Sequence, residues 1–391
     1  MFELSTHERI SEIGEEIWDG LLGGGPPFLR YAWLHALEET GCVRPERGWL
    51  PMHIQIRAPS KGNERGETLL LAPAYVKGNS EGEFVFDHSW ARFVEERARI
   101  DYYPKLIVAV PFTPASGPRL LMKPGADAEE LSAAFVQGLQ AICKKVGLSG
   151  VHILFPSASQ SLSLRDERLG LIERHGLQYH WSNHGYATFD DFLAHFNSKR
   201  RNQIRRERRA VEEQGLELQV CSGSDLDSAH IDEIYELYLT TVNKFYWGRQ
   251  YLNRGFFHQA FDKLGSGLQV VRAVPRGTGH GQGKALAGAL NIVSEDTLYG
   301  RYWGAFEERP HLHFNVCYYR GAEFCIEAGL QRFEPGAGGE HKVARGFAPT
   351  ITPSFHYLAH SGVRGAIAAY TEHEREAIAE HIRGEKPVLK L

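Results

Sequence analysis

Short strand-like runs recur along the whole sequence, and only a few amphipathic stretches between them are long enough to form helices. Alternating apolar residues predict strands within 52–58, 68–77, 82–87, 105–112, 151–156, 176–189, 216–223, 268–275, 284–306 and 331–336. Apolar residues at helical spacing predict helices over 28–41, 128–147, 227–247, 314–330 and 363–384. This pattern predicts an α/β fold with mixed sheets that are flanked by few helices.

The chain is longer than a single hydrophobic core usually grows. Its 391 residues favour two domains, and the rhythm of strands and helices is similar on either side of a basic stretch. We predict an N-terminal domain over 1–195, a basic junction helix over 196–212, and a C-terminal domain over 213–391 that ends in a helix. No low-complexity linker separates the halves, so we expect them to pack together with a ligand site in the cleft between them.

The overall charge limits the classes of partner. The net charge is -4 and the isoelectric point is near 6.6, so any polyanion site must be a local cluster of cations. The acidic N-terminus does not resemble a signal peptide, and no apolar run approaches the ~20 residues that span a bilayer. The five cysteines lack C-x-x-C spacing, which indicates reduced thiols. We therefore expect a cytoplasmic protein with no metal site and no permanently bound cofactor.

The segment SKRRNQIRRERRAV at 198–211 is the most strongly charged part of the chain. Ile204 and Val211 give a helix one apolar edge, and Glu207 is the only acidic residue in the segment. Like charges four residues apart repel within a helix, so an anion is expected to offset them. Arginine binds phosphate bidentately. We assign donor phosphate binding to Lys199, Arg200, Arg201, Arg205 and Arg206. The alternative is a solvated helix whose cations pair with acidic residues elsewhere in the protein.

A glycine-rich segment, FEPGAGGEHKVARGF at 333–347, combines backbone freedom with ionisable side chains. Glycines allow the backbone to approach a ligand closely. Lys342 and Arg345 are candidates to hold a phosphate or a developing oxyanion. The candidates for a base that takes a proton from an attacking amine are Glu334, Glu340 and His341. The alternative is a mobile loop with ordinary surface charges.

The strand-like stretch TLYGRYWGAF carries a second group of candidate binding residues. Strand alternation places Tyr299, Arg301 and Trp303 on one face, with Gly300 and Gly304 on the other. Glycines in a strand indicate close approach of another backbone. The Tyr-Arg-Trp face is either part of a substrate cleft or a domain interface.

Other motifs carry less weight. GNSEG at 78–82 fits a nucleophile elbow, but the residues after it alternate, which favours a hairpin with Ser80 in the turn. RGTGHG at 276–281 fits a pyrophosphate loop of coenzyme A-dependent acetyltransferases, but a strand follows where such a loop needs a helix. A hairpin loop is therefore favoured. His311 and His313 have no third ligand at a supporting spacing, which favours packing or surface histidines over a metal pair.

Together these segments resemble the FemAB-like family of predicted N-acyltransferases, which is labelled peptidoglycan biosynthesis or recognition. The similarity covers nearly the whole chain and includes PFLRYAWLHALEETG, YYPKLIVAVPFTPASGPRLL, HWSNHGYATFDDFLAHFNSKRRNQIRRERRAV, KFYWGRQYL, LHFNVCYY and FEPGAGGEHKVARGF. The resemblance implies two tandem GNAT-like acyltransferase domains, as in the Fem peptidyltransferases. Those enzymes transfer an aminoacyl group from aminoacyl-tRNA to an amine of a peptidoglycan precursor.

Individual positions match the family pattern or depart from it. A basic R-x-N-x-I-R helix is matched by Arg200, Asn202, Ile204 and Arg205, and the glycine-rich end by Gly338, Gly339, Lys342 and Phe347. Asn315, which we assign to substrate binding, stands where the family usually has Glu, and Gly338 stands where it usually has Gln. If that Glu were the general base, this protein would be impaired or would use another residue.

The leading hypothesis is an N-acyltransferase that moves an aminoacyl or acyl group onto an amine of a peptide, an amino acid or a cell-wall precursor. Aminoacyl-tRNA is the expected donor. Direct transfer needs a base for the amine proton and donors for the oxyanion, but no nucleophilic side chain. The alternatives are a transferase that uses acyl-CoA, and a non-catalytic protein that binds a peptidoglycan precursor or RNA.

Overall fold

A computed structural model describes residues 2–60, 65–244, 249–385 and 388–390. The strands are β1 (Glu3–His7), β2 (Trp49–Pro51), β3 (His53–Arg57), β4 (Thr68–Ala72), β5 (Ala74–Lys77), β6 (Lys105–Val108), β7 (Leu121–Met122), β8 (Gly150–Leu154), β9 (Ile172–Ser182), β10 (Leu216–Ser222), β11 (Leu268–Pro275), β12 (Ala287–Val293), β13 (Thr297–Ala305), β14 (Arg332–Glu334) and β15 (Ala348–Leu358). The helices are α1 (Glu15–Leu22), α2 (Tyr31–Glu39), α3 (His88–Phe93), α4 (Ala128–Val146), α5 (Ala158–Leu164), α6 (Phe189–Ala194), α7 (Ser198–Glu213), α8 (Ser228–Lys244), α9 (Arg254–Leu264), α10 (Leu312–Phe314), α11 (Arg320–Glu327) and α12 (Ser361–Gly384). Part of the KFYWGRQYL segment, 245–248, lies outside the described residues, as does the end of the helix predicted over 227–247.

The chain divides into two compact units. The first comprises Met1–Gly176 and Ile351–Gly384, and the second comprises Leu177–Thr350 and Glu385–Leu391. These bounds differ from the predicted bounds of 1–195, 196–212 and 213–391. The basic helix α7 lies inside the second unit, and β15, a strand that the sequence analysis did not predict, leads the chain back so that α12 belongs to the first. Within the described residues, no helix is long and apolar enough to cross a membrane.

The first unit contains a small antiparallel sheet in the order β1-β3-β4-β7 and a second group of strands in the order β15-β8-β6-β5-β2. The β6–β8 pair is parallel. The predicted helix α4 begins at the Asp127 cap, which accepts hydrogen bonds from two backbone N–H groups, and ends at Gly147 in the left-handed region. Its apolar residues, including Phe135 and Leu139, are buried in the core of this unit.

The GNSEG motif of the first unit does not form a nucleophile elbow. The Ser80 hydroxyl accepts a hydrogen bond from the buried Lys105 ammonium at 2.9 Å, and Lys105 also donates to Glu83 at 2.8 Å and to Asp87 at 2.5 Å. Burial opposes the charge, but the two carboxylates outweigh it and raise the pKa of Lys105. Lys105 therefore stays protonated and cannot activate Ser80. The strand predicted over 82–87 is absent, because Phe84 has a φ of +59°, in the left-handed region, and α3 begins at His88. Glu83 and Asp87 are both buried at this cation.

The second unit contains strands in the order β10-β11-β12-β13-β14-β9, antiparallel except for the β13–β14 pair. Helix α8 lies on one face, and a Cβ at Gly304 would lie 1.7 Å from the Leu237 carbonyl oxygen of α8. The glycines of β13 thus allow the close approach that the sequence predicted. On the other face, Val211 of α7 packs with Leu312 and Val316. The strand pair predicted over 176–189 is the single strand β9, because a capping box at Thr188 starts α6.

The N-terminus of α7 depends on a single side chain. Asn197 accepts a hydrogen bond from the Arg200 backbone N–H at 2.9 Å. We expect Asn197→Ala to lower the free energy of unfolding by about 1 kcal/mol, because that N–H loses its partner. Urea unfolding would measure the change. Asn202→Ala, an exposed position within the same helix, is the control, and equal effects of both substitutions would refute the capping role.

Candidate active site

The helix that faces the glycine-rich segment contains a π-helical turn. Residues 312–314 and 320–327 are α-helical, and Asn315–Tyr319 between them form the π turn. Such turns often occur at functional sites. Here the turn buries both Tyr318 and Tyr319, whose hydroxyl groups contact two different elements. Tyr318 contacts the short helical turn Glu340–Arg345, and Tyr319 contacts α7.

A buried ion pair joins α7 to this turn. Arg345 donates to a Glu207 carboxylate oxygen at 3.1 Å, and the same oxygen accepts a short hydrogen bond from the Tyr319 hydroxyl. The other oxygen of Glu207 accepts from Gln203 at 2.9 Å. The Arg345 guanidinium also lies 3.3 Å from the ring centre of Phe314 and donates to the His341 carbonyl oxygen. Arg345, a predicted substrate-binding residue, is therefore held by protein groups on several sides.

Glu207 is charged in this environment. Burial alone would raise its pKa, but the hydrogen bonds from Tyr319 and Gln203 and the charge of Arg345 lower it below the ordinary value. The sequence analysis noted Glu207 only as the one acidic residue of the segment 198–211, whereas its side chain is buried in the core. A signal for this was present in the sequence, since Glu207 lies three residues after Ile204 and four before Val211 on the buried edge.

His341 is the best placed of the candidate bases. Its side chain is exposed, and its Nε2 lies 3.0 Å from the Tyr318 hydroxyl. Burial lowers the pKa of His341, and the charges of Arg345 and Lys342 lower it further. The imidazole is therefore neutral near pH 7. With Nε2–H donated to the Tyr318 oxygen, Nδ1 would be free to accept a proton.

Lys342 is a buried cation next to His341. Its Nζ donates to the Gly336 carbonyl oxygen at 2.7 Å, and burial lowers its pKa to about 8. Gly339 has a φ of +91°, and a Cβ there would lie 3.0 Å from His341 and 3.1 Å from Lys342. The glycine at this position thus permits both a left-handed backbone and close packing of the two side chains.

A groove of about 690 Å³ lies beside this cluster within the second unit. It is lined by the end of α8, the end of β13 and the start of the 312–327 helix, including Trp303, Ala305, Leu312 and His313. His313 connects the groove to the base, since its ring lies 5.0 Å from Trp303, 5.2 Å from Tyr318 and 6.2 Å from His341. Burial lowers the pKa of His313 to about 4, so it is neutral. The sequence analysis considered His313 only as half of a metal pair.

The residues of β13 do not share one face as predicted. Gly300 pairs with Asn291 and Tyr302 pairs with Leu290, so Arg301 occupies a β-bulge. The bulge reverses the alternation. Tyr299 shares the face of Tyr302, which contacts α8 through Tyr238 at 5.2 Å, whereas Trp303 lies on the opposite face beside the groove. Arg301 lies over the Tyr302 ring at 5.2 Å.

Of the two carboxylate candidates, Glu334 lies apart from the His341 cluster and Glu340 lies next to His341. Glu334 is the register partner of Tyr299 and is buried, so it lies on the sheet face opposite the 312–327 helix. There it approaches His180 at 4.0 Å. Burial raises the pKa of Tyr299 most, and the charge of Glu334 raises it further. Glu340 precedes His341 and is exposed. The structure thus brings together His341, Lys342, Arg345 and Asn315, but not Glu334.

Asn315 holds two backbone segments together. It is buried, and its amide donates to the Glu207 carbonyl oxygen and to the His311 carbonyl oxygen, both at 2.9 Å. A Glu at this position would direct a carboxylate at two acceptors. The departure from the family pattern therefore matches the local need for two donors, and the amide group is occupied by the backbone.

The assigned cations of α7 differ in their surroundings. Arg200 donates to Gln203, Arg201 approaches the carbonyl oxygens of Ala194 and Phe196, and Arg205 pairs with the exposed Asp190 at 2.9 Å. Lys199 and Arg206 are exposed, and neither makes an ion pair within the described part of the chain. These two side chains are the most accessible to an anion.

The remaining motifs lie away from this cluster. RGTGHG forms the loop of the β11–β12 hairpin, as the strand after it indicated, and the Gly277 N–H is donated to a Glu217 carboxylate oxygen. That carboxylate disfavours a pyrophosphate there. Among the described residues, no group of three or more His, Cys, Asp or Glu side chains is arranged to hold a metal ion.

Comparison with known proteins identifies the family. The family model FemAB-like, described as peptidoglycan biosynthesis or recognition, matches residues 9–388. The chain belongs to the FemAB-like family. No curated protein matches this sequence.

Several solved structures are similar to this FemAB-like protein. The crystal structure of FemX aligns with 94% of this chain, and the alignment covers 100% of the FemX chain, with a TM-score of 0.53 and 13% identity. A tandem GNAT protein from the clavulanic acid biosynthesis pathway covers 92% of this chain with 99% of its own, at a TM-score of 0.45 and 12% identity. The L-PGS of Bacillus licheniformis covers 81% with 87% of its own, at a TM-score of 0.46 and 9% identity. The match to FemX confirms the predicted mixed α/β fold.

Proposed function

We propose that this protein is an N-acyltransferase that moves an aminoacyl group from aminoacyl-tRNA onto an amine of a peptidoglycan precursor peptide. Membership of the FemAB-like family supports an acyl or aminoacyl transferase. The observation that carries the proposal is the neutral, exposed imidazole of His341, oriented by Tyr318 and connected to the groove by His313.

The proposed reaction needs no nucleophilic side chain. An acceptor amine in the groove attacks the acyl carbonyl carbon, and a C–N bond forms while the C–O bond to the tRNA ribose breaks. His341 accepts the amine proton and returns it to the ribose oxygen, which leaves as a hydroxyl group. Lys342 gives one hydrogen to Gly336 and retains others for the oxyanion that develops on the carbonyl oxygen.

The donor is tested by binding of aminoacyl-tRNA at two salt concentrations. We expect the affinity to fall steeply with salt, and the Lys199→Ala/Arg206→Ala variant to reduce the slope of log K against log salt by about 0.7–0.9 for each phosphate that it no longer binds. Both side chains are exposed, so the substitutions should not unfold α7. Arg276→Ala, an exposed arginine of the β11–β12 loop, is the control.

Two results would contradict the assigned donor. If aminoacyl-tRNA does not bind at low salt, the donor is not tRNA, and acyl-CoA becomes the donor to assay. If the double variant and Arg276→Ala change the slope equally, the cations of α7 are not the phosphate site.

A further inference from the structure

Two buried histidines face each other across neighbouring strands of the first unit. His152 of β8 and His356 of β15 are direct register partners, and their Nδ1 atoms lie 2.7 Å apart. Both residues are 1% exposed. A hydrogen bond between two ring nitrogens holds a single hydrogen, so one imidazole donates it and the other accepts it. The accepting ring therefore carries no proton at its Nδ1.

The surrounding partners assign the direction of this hydrogen bond. The Nε2 of His356 lies 2.8 Å from the Ser354 hydroxyl oxygen, and that hydroxyl donates to the Arg174 carbonyl oxygen at 3.4 Å. The Nε2 of His356 therefore donates to Ser354, which leaves its Nδ1 to accept from the Nδ1 of His152. The Nε2 of His152 is buried and has no hydrogen-bond partner within the described part of the chain. Both imidazoles are neutral in this arrangement.

A further proton on either ring is unfavourable while the strands are paired. On His152 it would add a charged donor at the buried atom that has no partner. The charged and titratable groups packed around the pair are Lys105, Arg174, Asp87, Glu83, Glu374 and Tyr102. Burial lowers the pKa of His152 to about 3, and Lys105 lowers it while Asp87 raises it. Burial also lowers the pKa of His356, as do the charges of His152 and Arg174.

We propose that the His152–His356 pair is an acid-sensitive switch that holds β15 against β8 only while both rings are neutral. A histidine released from the core takes up a proton below its ordinary pKa of about 6.5, so each ring adds one bound proton to the opened state. The pairing therefore weakens as the pH falls below 6.5. β15 begins three residues after Arg345, so opening would free the strand that follows the turn Glu340–Arg345 in the chain. The switch does not depend on the proposed function.

Amide hydrogen exchange in peptides that cover β8 and β15 tests the switch, because it measures the opening of these strands once the intrinsic exchange rate is corrected for pH. The full chain is compared with the variant His152→Asn/His356→Asn, whose short polar side chains do not titrate. We expect the ratio of the wild-type opening constant to that of the variant to rise about 60-fold from pH 6 to pH 5. The ratio cancels the opposite effect of Glu83, whose pKa burial raises to about 7.

A matched control and a second measurement make the test decisive. His373→Asn, which replaces an exposed histidine of α12 in the same unit, should keep the pH dependence of the wild type. A constant ratio between pH 6 and pH 5, or a loss of the pH dependence in His373→Asn, would overturn the inference. Titration of the imidazole NMR signals of the folded wild type needs no variant. His152 and His356 should both stay neutral down to pH 5, and a ring that takes up a proton near pH 6.5 in the folded protein would refute the switch, even if the double variant does not fold.

Discussion

Replacing His341 by asparagine is expected to lower the transfer rate by about 10²- to 10⁴-fold, the usual contribution of a positioned base. Asparagine is similar in size and can still bond to the Tyr318 hydroxyl, but it cannot accept a proton at neutral pH. The imidazole can, because burial and the charges of Arg345 and Lys342 keep its pKa below the ordinary 6.5. Single-turnover transfer to a precursor peptide would measure the change, with His184→Asn, an exposed histidine of the same unit, as control.

The pH profile provides an independent readout of this role. A base must be unprotonated, so the rate should fall as the pH drops through the pKa of His341, which lies below 6.5. Lys342 must be protonated to stabilise an oxyanion, so the rate should also fall as the pH rises past about 8. The acid limb should be missing from the residual activity of His341→Asn.

Glu340 is the other candidate base in this turn, and its substitution decides between the two. Loss of transfer in Glu340→Gln, with activity retained in His341→Asn, would move the base to the carboxylate. If the double variant Glu340→Gln/His341→Ala remains folded and active, the whole turn has no part in the mechanism.

Much of the fold could be predicted because its signals are local. The helical spacing of Leu131, Phe135 and Leu139 and the stop at Gly147 predicted α4. The glycines of β13 predicted the close approach of another backbone, which at Gly304 is that of α8. The prediction of secondary structure failed where side chains bind partners that are distant in the sequence. Glu83 and Asp87 are buried against Lys105 of β6, and the strand expected over 82–87 does not form, because Phe84 has a φ of +59°.

The candidate site was predictable only in part, for the same reason. The sequence indicated that the glycine-rich segment combines ionisable side chains with a flexible backbone. It also pointed to His341 as a candidate base and to Lys342 as a candidate anion-binding residue. It could not show that a bulge at Arg301 separates Tyr299 from Trp303, because one extra residue reverses all later alternation. It also could not show that a π turn brings Tyr318 to His341, since the pattern of 314–330 is that of an ordinary helix.

Replacing Arg345 by methionine is expected to lower the free energy of unfolding by about 3–5 kcal/mol, because it leaves the Glu207 carboxylate buried without its cation. Methionine keeps much of the side-chain volume against Phe314, so the main loss is electrostatic. Urea unfolding followed by tryptophan fluorescence would measure it. Arg205→Met, which removes the exposed partner of Asp190 at 2.9 Å, should cost about 0–1 kcal/mol.

The pH dependence of that loss follows from the lowered pKa of Glu207. A carboxyl group whose folded pKa is below its unfolded value stabilises the protein above the unfolded value of about 4.5, and this contribution disappears as the pH falls through the folded pKa. The stability difference between the wild type and Arg345→Met should therefore be largest near pH 7 and shrink below pH 4.5. The double variant Glu207→Gln/Arg345→Met should recover part of the loss at pH 7, because it removes the unpaired charge.

The Arg345→Met variant also distinguishes substrate binding, the role predicted for Arg345 from the sequence, from the structural role that its buried contacts indicate. If Arg345 binds substrate, its replacement would raise KM and leave the unfolding transition unchanged. The buried pair with Glu207 and the contact with Phe314 predict the reverse, a lowered transition and an unchanged KM at temperatures where the variant is folded. If the Arg345→Met protein is as stable as the wild type and has a raised KM, Arg345 is a substrate-binding residue.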